Sequence, residues 1–391
     1  MKRDMHHPPR VALLVETSLA SGRDILRGIG RYVRECGPWS IYHEPRSLEE
    51  AAPAWLRTWR GDGIIARIQN RRIAAAVAAT RLPAIDVLGV VSHDRLPLVH
   101  VDNAAIAQLA ADHLLDRGFR HFGYCGLSGI NWSDQRRDAF ASRVAERGGQ
   151  CSVYTLARRR ARMSWEDEQD GLAAWLTTLP RPVGIMACND PRGQKVLEAC
   201  RRLGLKVPEE VAVIGVDNDE PVCEIADPPL SSVLPDPTRL GFEAAKLLDR
   251  MIRSGHRPRR PLFLPPVGIV TRQSTDVLAI DDAELVAALR LIREESCEGL
   301  SVSDVVRKLS VSRSTLQRQF KAILGRTVHD EIVATRLARA KQLLAETDLP
   351  IAAIARRCGF RHQEYLGYVF RTRGGQTPAA YRRQSRTASL R

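Results

Sequence analysis

The sequence lacks the marks of membrane proteins, exported proteins and cysteine-based scaffolds. None of its apolar runs approaches the roughly 18 consecutive residues of a membrane span. The run Val11–Val15 after the basic start is too short for an export signal and predicts a buried strand. The eight cysteines are scattered singly without a C-x-x-C pair, which argues against zinc ribbons and disulfide frameworks. We therefore expect a cytoplasmic protein with no membrane partner and no metal.

Catalytic motifs are missing as well. Gly28-x-Gly30 follows a strand candidate but lacks the third glycine of a dinucleotide fingerprint. The segment G-L-S-G from Gly126 misses the spacing of a nucleophile elbow by one residue. We expect no enzyme, and hence no catalytic residue and no cofactor.

The sequence does have enough length for two or three folding units, and a strong excess of positive charge. Its 391 residues are 44% apolar and 27% charged, which is typical of a globular protein. The net charge of +14 is compatible with binding to a phosphate polymer such as nucleic acid. It is equally compatible with a solvated, arginine-rich surface that has no such partner. The distribution of charge along the chain separates these alternatives.

Up to about residue 275, short β-branched runs alternate with helical patterns, which predicts parallel βαβ units. Ligands of such sheets bind at the carboxyl ends of the strands. The predicted strands are Val11–Val15, Gly63–Ile68, Ala84–Val87, Leu98–Val101, His121–Tyr124, Gly184–Ala187 and Val211–Val216, with Leu230–Leu234 and Leu262–Leu264 as later returns to a sheet edge. The predicted helices between them are Arg23–Arg34, Asn103–Arg117, Arg136–Arg147 and Pro191–Leu203.

From residue 281 onward the pattern changes to short helices only. The predicted helices are Asp282–Glu295, Val302–Leu309, Arg313–Leu324, Val328–Glu346, Ile351–Arg357, His362–Arg373 and Pro378–Arg383. This part carries 20 Lys and Arg against 12 Asp and Glu. A compact helical module with more than half of the net positive charge is an electrostatic footprint for nucleic acid.

Two pairs of these helices have the layout of helix-turn-helix units. In the first, Ser301 caps a short helix, a three-residue turn follows, and the next helix buries Leu316 and Phe320. The second unit repeats this layout, with Gly359 in its turn. The outward side chains, which would contact double-stranded DNA, are Arg313, Ser314, Gln317, Arg318 and Lys321 in the first unit and Arg361, His362, Glu364, Tyr368 and Arg371 in the second. A helical dimerisation bundle with a solvated basic face is the alternative.

Residues 285–384 resemble the DNA-binding domain of AraC/XylS-type regulators. The motifs that carry the resemblance are I-A-A-I-A-R-R-C-G-F from Ile351, Y-L-G-Y-V-F-R from Tyr365 and G-G-Q-T-P-A-A-Y-R from Gly374. The resemblance implies an all-α domain with two helix-turn-helix units. Glu364 and Tyr368 stand where the family often has amide or basic residues, so we expect the first unit to read bases and the second to serve more for positioning.

The first 275 residues resemble the periplasmic-binding-protein-like sensor of LacI-type repressors. The carrying segments are V-H-V-D-N-A-A-I from Val99, A-C-N-D-P-R-G from Ala187 and V-P-E-E-V-A-V-I-G-V-D-N from Val207. This implies a two-lobed α/β sensor with parallel sheets over 1–275, a linker over 276–284, the DNA-binding domain over 285–384 and a disordered tail over 385–391.

The combination of the two domains resembles the XylR-type regulators of xylose catabolism. It implies a sugar effector, operator DNA, a homodimer, RNA polymerase as partner if the protein is an activator, and a location at the nucleoid. A solute-binding receptor and a DNA-binding protein without a ligand remain the alternatives.

Polar residues after the predicted strands are the candidates for binding the sugar. Asp217 is the strongest, because a carboxylate that ends an apolar strand needs a partner. Arg67 stands where the xylose-responsive pattern has an acidic residue, which leaves xylose, an acidic sugar and a phosphorylated sugar open. Asp190 as a helix cap and Trp132 as a core residue are alternatives to binding. The full set is Arg23, Arg67, Trp132, Arg136, Asn189, Asp190, Asp217 and Asn218.

Overall fold

The protein consists of two compact units, Met1–Ala279 and Ile280–Arg391. The computed structural model describes residues 7–47, 51–91, 93, 96–157, 164–255, 257–258, 260–276, 282–324, 326–347, 349–374 and 376–389. Residues 277–281, which make up most of the linker predicted over 276–284, lie outside the described residues. Among the described residues, no helix has the length and apolar character to cross a membrane.

The first unit alternates strands and helices, as its sequence pattern predicts. Its strands are β1 (Arg10–Leu14), β2 (Ser40–His43), β3 (Gly63–Ala66), β4 (Ala84–Asp86), β5 (Val99–Val101), β6 (His121–Ser128), β7 (Gln150–Ala157), β8 (Val183–Ala187), β9 (Val211–Val216), β10 (Ser231–Leu234), β11 (Leu262–Leu264) and β12 (Gly268–Val270). Its helices are α1 (Ala20–Cys36), α2 (Arg71–Ala79), α3 (Asn103–Leu115), α4 (Asn131–Glu146), α5 (Trp165–Thr177), α6 (Asp190–Arg202), α7 (Glu220–Ile225) and α8 (Pro237–Ser254).

The strands of this unit form two lobes. The first lobe contains a parallel sheet in the order β2-β1-β3-β4, which the parallel pair β5-β11 extends beyond β4. The second lobe contains a sheet in the order β12-β10-β9-β8-β6-β7, parallel except at β12. Strands β1, β3, β8 and β9 are apolar and buried along nearly their whole length, as strands covered by helices on both faces must be. The predicted two-lobed α/β fold is confirmed.

The strands β2, β7 and β12 and the helices α2, α5, α7 and α8 were not among the predicted elements, and α4 starts earlier than predicted. β2 is an edge strand of the sheet in the first lobe, and β7 and β12 are the two edge strands of the sheet in the second lobe. An edge strand is less enclosed than a central one, so it does not need a continuous apolar run. Helix α4 begins at Asn131, five residues before the predicted Arg136. Its earlier start places Trp132 and Arg136 one turn apart on the same helix.

The second unit is helical throughout its described residues. Its helices are α9 (Ala283–Glu295), α10 (Val302–Leu309), α11 (Arg313–Leu324), α12 (Val328–Glu346), α13 (Ile351–Arg357), α14 (Gln363–Gly374) and α15 (Pro378–Ser389). Leu316 and Phe320 are buried in one apolar core, and Leu366 and Phe370 in another. Helix α12 contributes side chains to both cores, so it joins the two helix-turn-helix units rigidly.

The end of the chain departs from the prediction. We expected a disordered tail over 385–391, but α15 continues to Ser389. Residues 390–391 lie outside the described residues.

Candidate effector site and DNA interface

Ionisable side chains of both lobes come together, most of them at the carboxyl ends of strands. We call this group the cleft cluster: Glu16, Arg67, Asp86 and His100 of the first lobe, with Arg136 and Asp217 of the second. The two lobes also touch directly beside it, where the Asn131 side-chain amide donates to the carbonyl of Gly89 (2.8 Å). Burial raises the pKa of Asp217 in the second lobe, and the charges of Arg136 and of Arg67, which belongs to the first lobe, oppose that shift.

Arg67 and Glu16 form a buried ion pair at the ends of β3 and β1. The Arg67 guanidinium also donates to the hydroxyl of Ser21 (3.1 Å). Burial raises the pKa of Glu16, and the charge of Arg67 opposes that shift. Gly22 makes the pair possible, because a Cβ at this position would lie 2.2 Å from the Glu16 carbonyl oxygen. Among the described residues, the Oε2 atom of Glu16 and the Nε atom of Arg67 have no hydrogen-bond partner.

Asp217 and Asn218 follow β9 in an unusual backbone conformation. Their φ angles are 106° and 49°, a region that L residues rarely adopt and that clusters at functional sites. Burial raises the pKa of Asp217, while Arg136 and Arg67 act to lower it. The backbone amide of Asn218 donates to the hydroxyl of Ser232 (3.0 Å). The Asn218 Oδ1 atom is buried without a hydrogen-bond partner in the described part of the chain.

Arg136 is anchored by three neighbours. It donates to the side-chain oxygen of Asn103 (3.0 Å) and to the carbonyl of Cys188 at the end of β8 (2.6 Å). Its guanidinium carbon lies 5.2 Å from the ring centroid of Trp132, within range of a cation–π contact. Trp132 is half-buried and packs against the main apolar core, which agrees with the core role considered from sequence, while its role in sugar binding stays a prediction.

Asn189 and Asp190 are used by the fold rather than left open to a ligand. The Asn189 side chain caps α6 by accepting from the backbone amide of Arg192 (3.1 Å). Asp190 is fully buried, and its carboxylate accepts from the Ser232 hydroxyl (2.6 Å) and the Asp219 backbone amide (2.8 Å). Burial and the charge of Asp217 raise the pKa of Asp190 to about 7. Asp190 therefore supports the segment that carries Asp217, and Asn189 supports the start of α6.

Arg23 bonds to the backbone beside the cleft cluster rather than to one of its side chains. It is exposed on the first turns of α1, where it donates to the carbonyl of Thr17 (2.8 Å).

Sequence reasoning missed Glu16, Asp86 and His100. Asp86 accepts from the backbone amides of Leu88 (2.9 Å) and Gly89 (3.2 Å), and burial raises its pKa to about 7. His100 is buried, and desolvation together with the charges of Arg136 and Arg67 lowers its pKa to about 3, so the ring is neutral. Glu16 and Asp86 follow or end apolar strands, the same signal that identified Asp217. His100 lies within a strand and gave no such signal.

The first helix-turn-helix unit has the predicted geometry. The Ser301 and Asp304 side chains form a capping box at the start of α10, and Ser310 adopts a left-handed conformation (φ 54°) in the turn. The five side chains predicted to contact DNA in this unit are all exposed along α11: Arg313, Ser314, Gln317, Arg318 and Lys321.

The second unit has the same layout with different outward chemistry. Gly359 forms its turn with a φ of 76°. Helix α14 begins at Gln363, so Arg361 and His362 precede it instead of lying on its first turn. The rings of Tyr365 and Tyr368 are stacked on the helix surface, with centroids 6.4 Å apart. All five predicted contact residues are exposed: Arg361, His362, Glu364, Tyr368 and Arg371.

Comparison with known protein families identifies each part of the chain. A XylR N-terminal domain matches residues 10–104, a periplasmic binding protein-like domain matches residues 111–275, and a helix-turn-helix domain matches residues 305–384. The xylose operon regulatory protein of Escherichia coli (strain K12) is 34% identical over 381 residues, which cover 95% of this chain and 96% of that protein. The chain belongs to the family of xylose operon regulators.

Other members of the xylose operon regulator family agree with this assignment. The xylose operon regulatory protein of Haemophilus influenzae is 31% identical over 383 residues, which cover 95% of this chain and 98% of that protein. A solved structure of a xylose-binding transcription activator, XylR, matches with a TM-score of 0.78 at 33% identity, covering 96% of this chain and 98% of that one. The resemblance to AraC-type regulators with a LacI-type sensor is thereby confirmed. The protein is a ligand-responsive transcription regulator with a helix-turn-helix DNA-binding domain.

Proposed function

We propose that the effector is a neutral sugar, xylose or a closely related pentose, bound by the cleft cluster between the two lobes. The observation that carries this proposal is the pairing of charge there. Arg67 is neutralised by Glu16, and Arg136 interacts with Asp217. A neutral polyol can join such a network through hydrogen bonds without adding an unpaired buried charge.

An anionic sugar fits this arrangement less well. Arg67 alone would favour a carboxylate or phosphate, but its charge is already compensated by Glu16. A further anion would lie near Asp217 and Asp86 and would need a cation that the cluster does not supply. The unpartnered oxygen atoms of Glu16 and Asn218 instead suit hydroxyl donors, and the free Nε of Arg67 suits a hydroxyl acceptor. We therefore assign the cleft a role in binding rather than in catalysis.

The sugar would act by shifting the population of lobe arrangements. Because the cleft cluster draws on both lobes, a ligand that contacts both binds the closed arrangement more tightly than the open one. In a homodimer, closure would change the placement of the two DNA-binding units on the operator. We propose an activator that recruits RNA polymerase, with bases read mainly by Gln317 and Arg318 and phosphates bound by the remaining basic side chains.

Calorimetric titration of the full-length protein with pentoses, hexoses, uronic acids and sugar phosphates tests the ligand class. We expect a neutral pentose to bind most tightly. Preference for a uronic acid or a sugar phosphate would overturn the neutral-sugar proposal.

Asp217→Ala tests the location of the site. We expect it to abolish sugar binding and the sugar response while basal operator binding stays intact. Asp170→Ala is the matched control, because Asp170 is an exposed carboxylate of the same lobe. Equal loss of sugar binding in both variants, or loss of basal DNA binding in the first, would contradict the assignment.

A further inference from the structure

Two cysteines, one just before the first helix-turn-helix unit and one in the second, lie close together in the DNA-binding unit. Cys297 lies in the turn between α9 and α10, and Cys358 ends α13 at the turn of the second unit. A Cβ on Gly359, the residue after Cys358, would lie 3.0 Å from the carbonyl oxygen of Cys297, so the two cysteines are close neighbours, and both are free. The eight cysteines are scattered in sequence, so only the fold brings this pair together.

The two thiols differ in accessibility and environment. Cys297 is half-buried, whereas Cys358 is fully buried in the apolar core with Leu337 and Ala340. The hydrogen bond from Cys358 lowers the pKa of Cys297, and the positive charges of Arg339 and Arg336 act in the same direction. An accessible thiol with a depressed pKa and a second thiol beside it is the arrangement of a reactive cysteine with its resolving partner.

The turn that carries Cys297 is held firmly in place. The Arg336 guanidinium on α12 donates to the carbonyl oxygens of Ser296 and Leu300, each at 2.8 Å. Gly359, next to Cys358, approaches the same turn so closely that a Cβ there would lie 2.6 Å from the Ser296 carbonyl oxygen. The two segments are therefore fixed against each other, with the thiols at their contact.

We propose that Cys297 and Cys358 form a peroxide-sensitive thiol pair that closes into a disulfide between the α9–α10 turn and the second helix-turn-helix unit. The Cys297 thiolate attacks one oxygen of a hydroperoxide, the O–O bond breaks, and a sulfenic acid forms as the other oxygen leaves as water or alcohol after protonation. The Cys358 sulfur then attacks the Cys297 sulfur, and the sulfenic oxygen leaves as water with the Cys358 proton. The two thiols lose two electrons, which reduce the hydroperoxide.

Closing the disulfide would strain the second unit. A disulfide requires a sulfur–sulfur bond of about 2.05 Å, which is much shorter than any non-bonded contact between two thiols. Because the backbone at Gly359 already touches the turn between α9 and α10, the two segments have little room to move closer as rigid bodies. We expect the turn between α13 and α14 to deform on oxidation and to reorient α14 relative to α11. We expect oxidation to weaken operator binding by about fivefold, a typical size for coupling between two sites.

Peptide mapping by mass spectrometry tests the thiol pair. The reduced full-length protein is treated with hydrogen peroxide and then alkylated at successive times. We expect a Cys297–Cys358 linkage to appear before oxidation of Cys36, an exposed cysteine that serves as the internal control. Oxidation of Cys36 at least as fast as Cys297, with no linked peptide, would overturn the proposal.

Operator binding tests the consequence independently of any sugar. Peroxide should weaken binding by the wild type, dithiothreitol should restore it, and Cys36→Ser should behave like the wild type. Cys297→Ser should be insensitive, and Cys358→Ala provides a second insensitive variant with no thiol to resolve the sulfenic acid. If fully disulfide-linked protein binds the operator as tightly as reduced protein, the proposed effect on DNA binding is wrong. Reduced protein is the reference, so a protein that fails to bind DNA in any state is recognised separately.

Discussion

The charged side chains that we propose to bind the ligand in the sensor unit are buried and paired. Those that we propose to contact DNA in the helical unit are instead exposed on helix surfaces. Arg67 is about one-tenth exposed and bonded to Glu16, whose side chain is almost fully buried. Tyr368 on the second recognition helix is 59% exposed. A sugar must be surrounded to be distinguished, while a DNA groove is reached by a protruding helix. Substitutions in the cleft should therefore affect stability and function together, and substitutions on α11 and α14 should affect function alone.

The largest expected effect is at the buried ion pair. Arg67→Ala leaves the Glu16 carboxylate buried without its cation, and we expect it to lower the free energy of unfolding by about 4 kcal/mol. Urea denaturation measures the change. Arg137→Ala, which breaks a partly exposed ion pair with Asp134, is the control and should cost less than about 1 kcal/mol. Equal costs in the two variants would remove the contrast between buried and exposed charges.

The next effect concerns pH and Asp86. Burial raises its folded-state pKa from the ordinary 3.8 to about 7, so between these values the folded protein keeps a proton that the unfolded chain releases. The contribution of Asp86 to stability is therefore present at low pH, falls as pH rises through this window, and is level above it. Asp86→Asn cannot ionise.

We expect the stability of Asp86→Asn relative to wild type to increase by roughly 3 kcal/mol between pH 4 and pH 7. Denaturation curves across this pH range measure the difference. Asp102→Asn is a control at a partly exposed helix cap of the same unit. A pH-independent difference for Asp86→Asn would show that its carboxyl titrates normally.

A smaller effect separates the two helix-turn-helix units. Gln317→Ala removes an exposed amide able to bond a base edge, and we expect a loss of about 1.5 kcal/mol in binding to the operator but little change on nonspecific DNA. Fluorescence anisotropy with both DNAs measures this, and unfolding should be unaffected. An equal loss on both DNAs would assign Gln317 to the phosphate backbone.

The smallest effect is expected on α14. Glu364→Gln removes an exposed negative charge beside the proposed DNA surface, and we expect binding to strengthen by about 0.5 kcal/mol at low salt. Glu298→Gln, an exposed change off the recognition helices, is the control. Weaker binding by the Glu364 variant would show instead that the carboxylate accepts a hydrogen bond from a base.

The sequence predicted the helical unit more closely than the sensor. Helices α10 to α13 begin and end at the predicted residues, because capping residues such as Ser301 and a clear apolar period mark their bounds locally. In the sensor, edge strands β2 and β7 lack a continuous apolar run and were missed. Strand-end chemistry pointed to Asp217 and Arg67, but the partner of Arg67 lies on another strand, so their pairing depends on sheet order that local sequence does not encode.

The most direct test of the account is reciprocal coupling between the cleft and the DNA-binding unit. Operator affinity is measured with and without saturating xylose, and xylose affinity with and without saturating operator, for wild type and Asp217→Ala. The account predicts that each ligand changes the affinity for the other by the same factor in wild type, and that the coupling disappears in the variant. If xylose binds the wild type without changing operator affinity, or if the variant retains full coupling, the cleft cluster is not the switch.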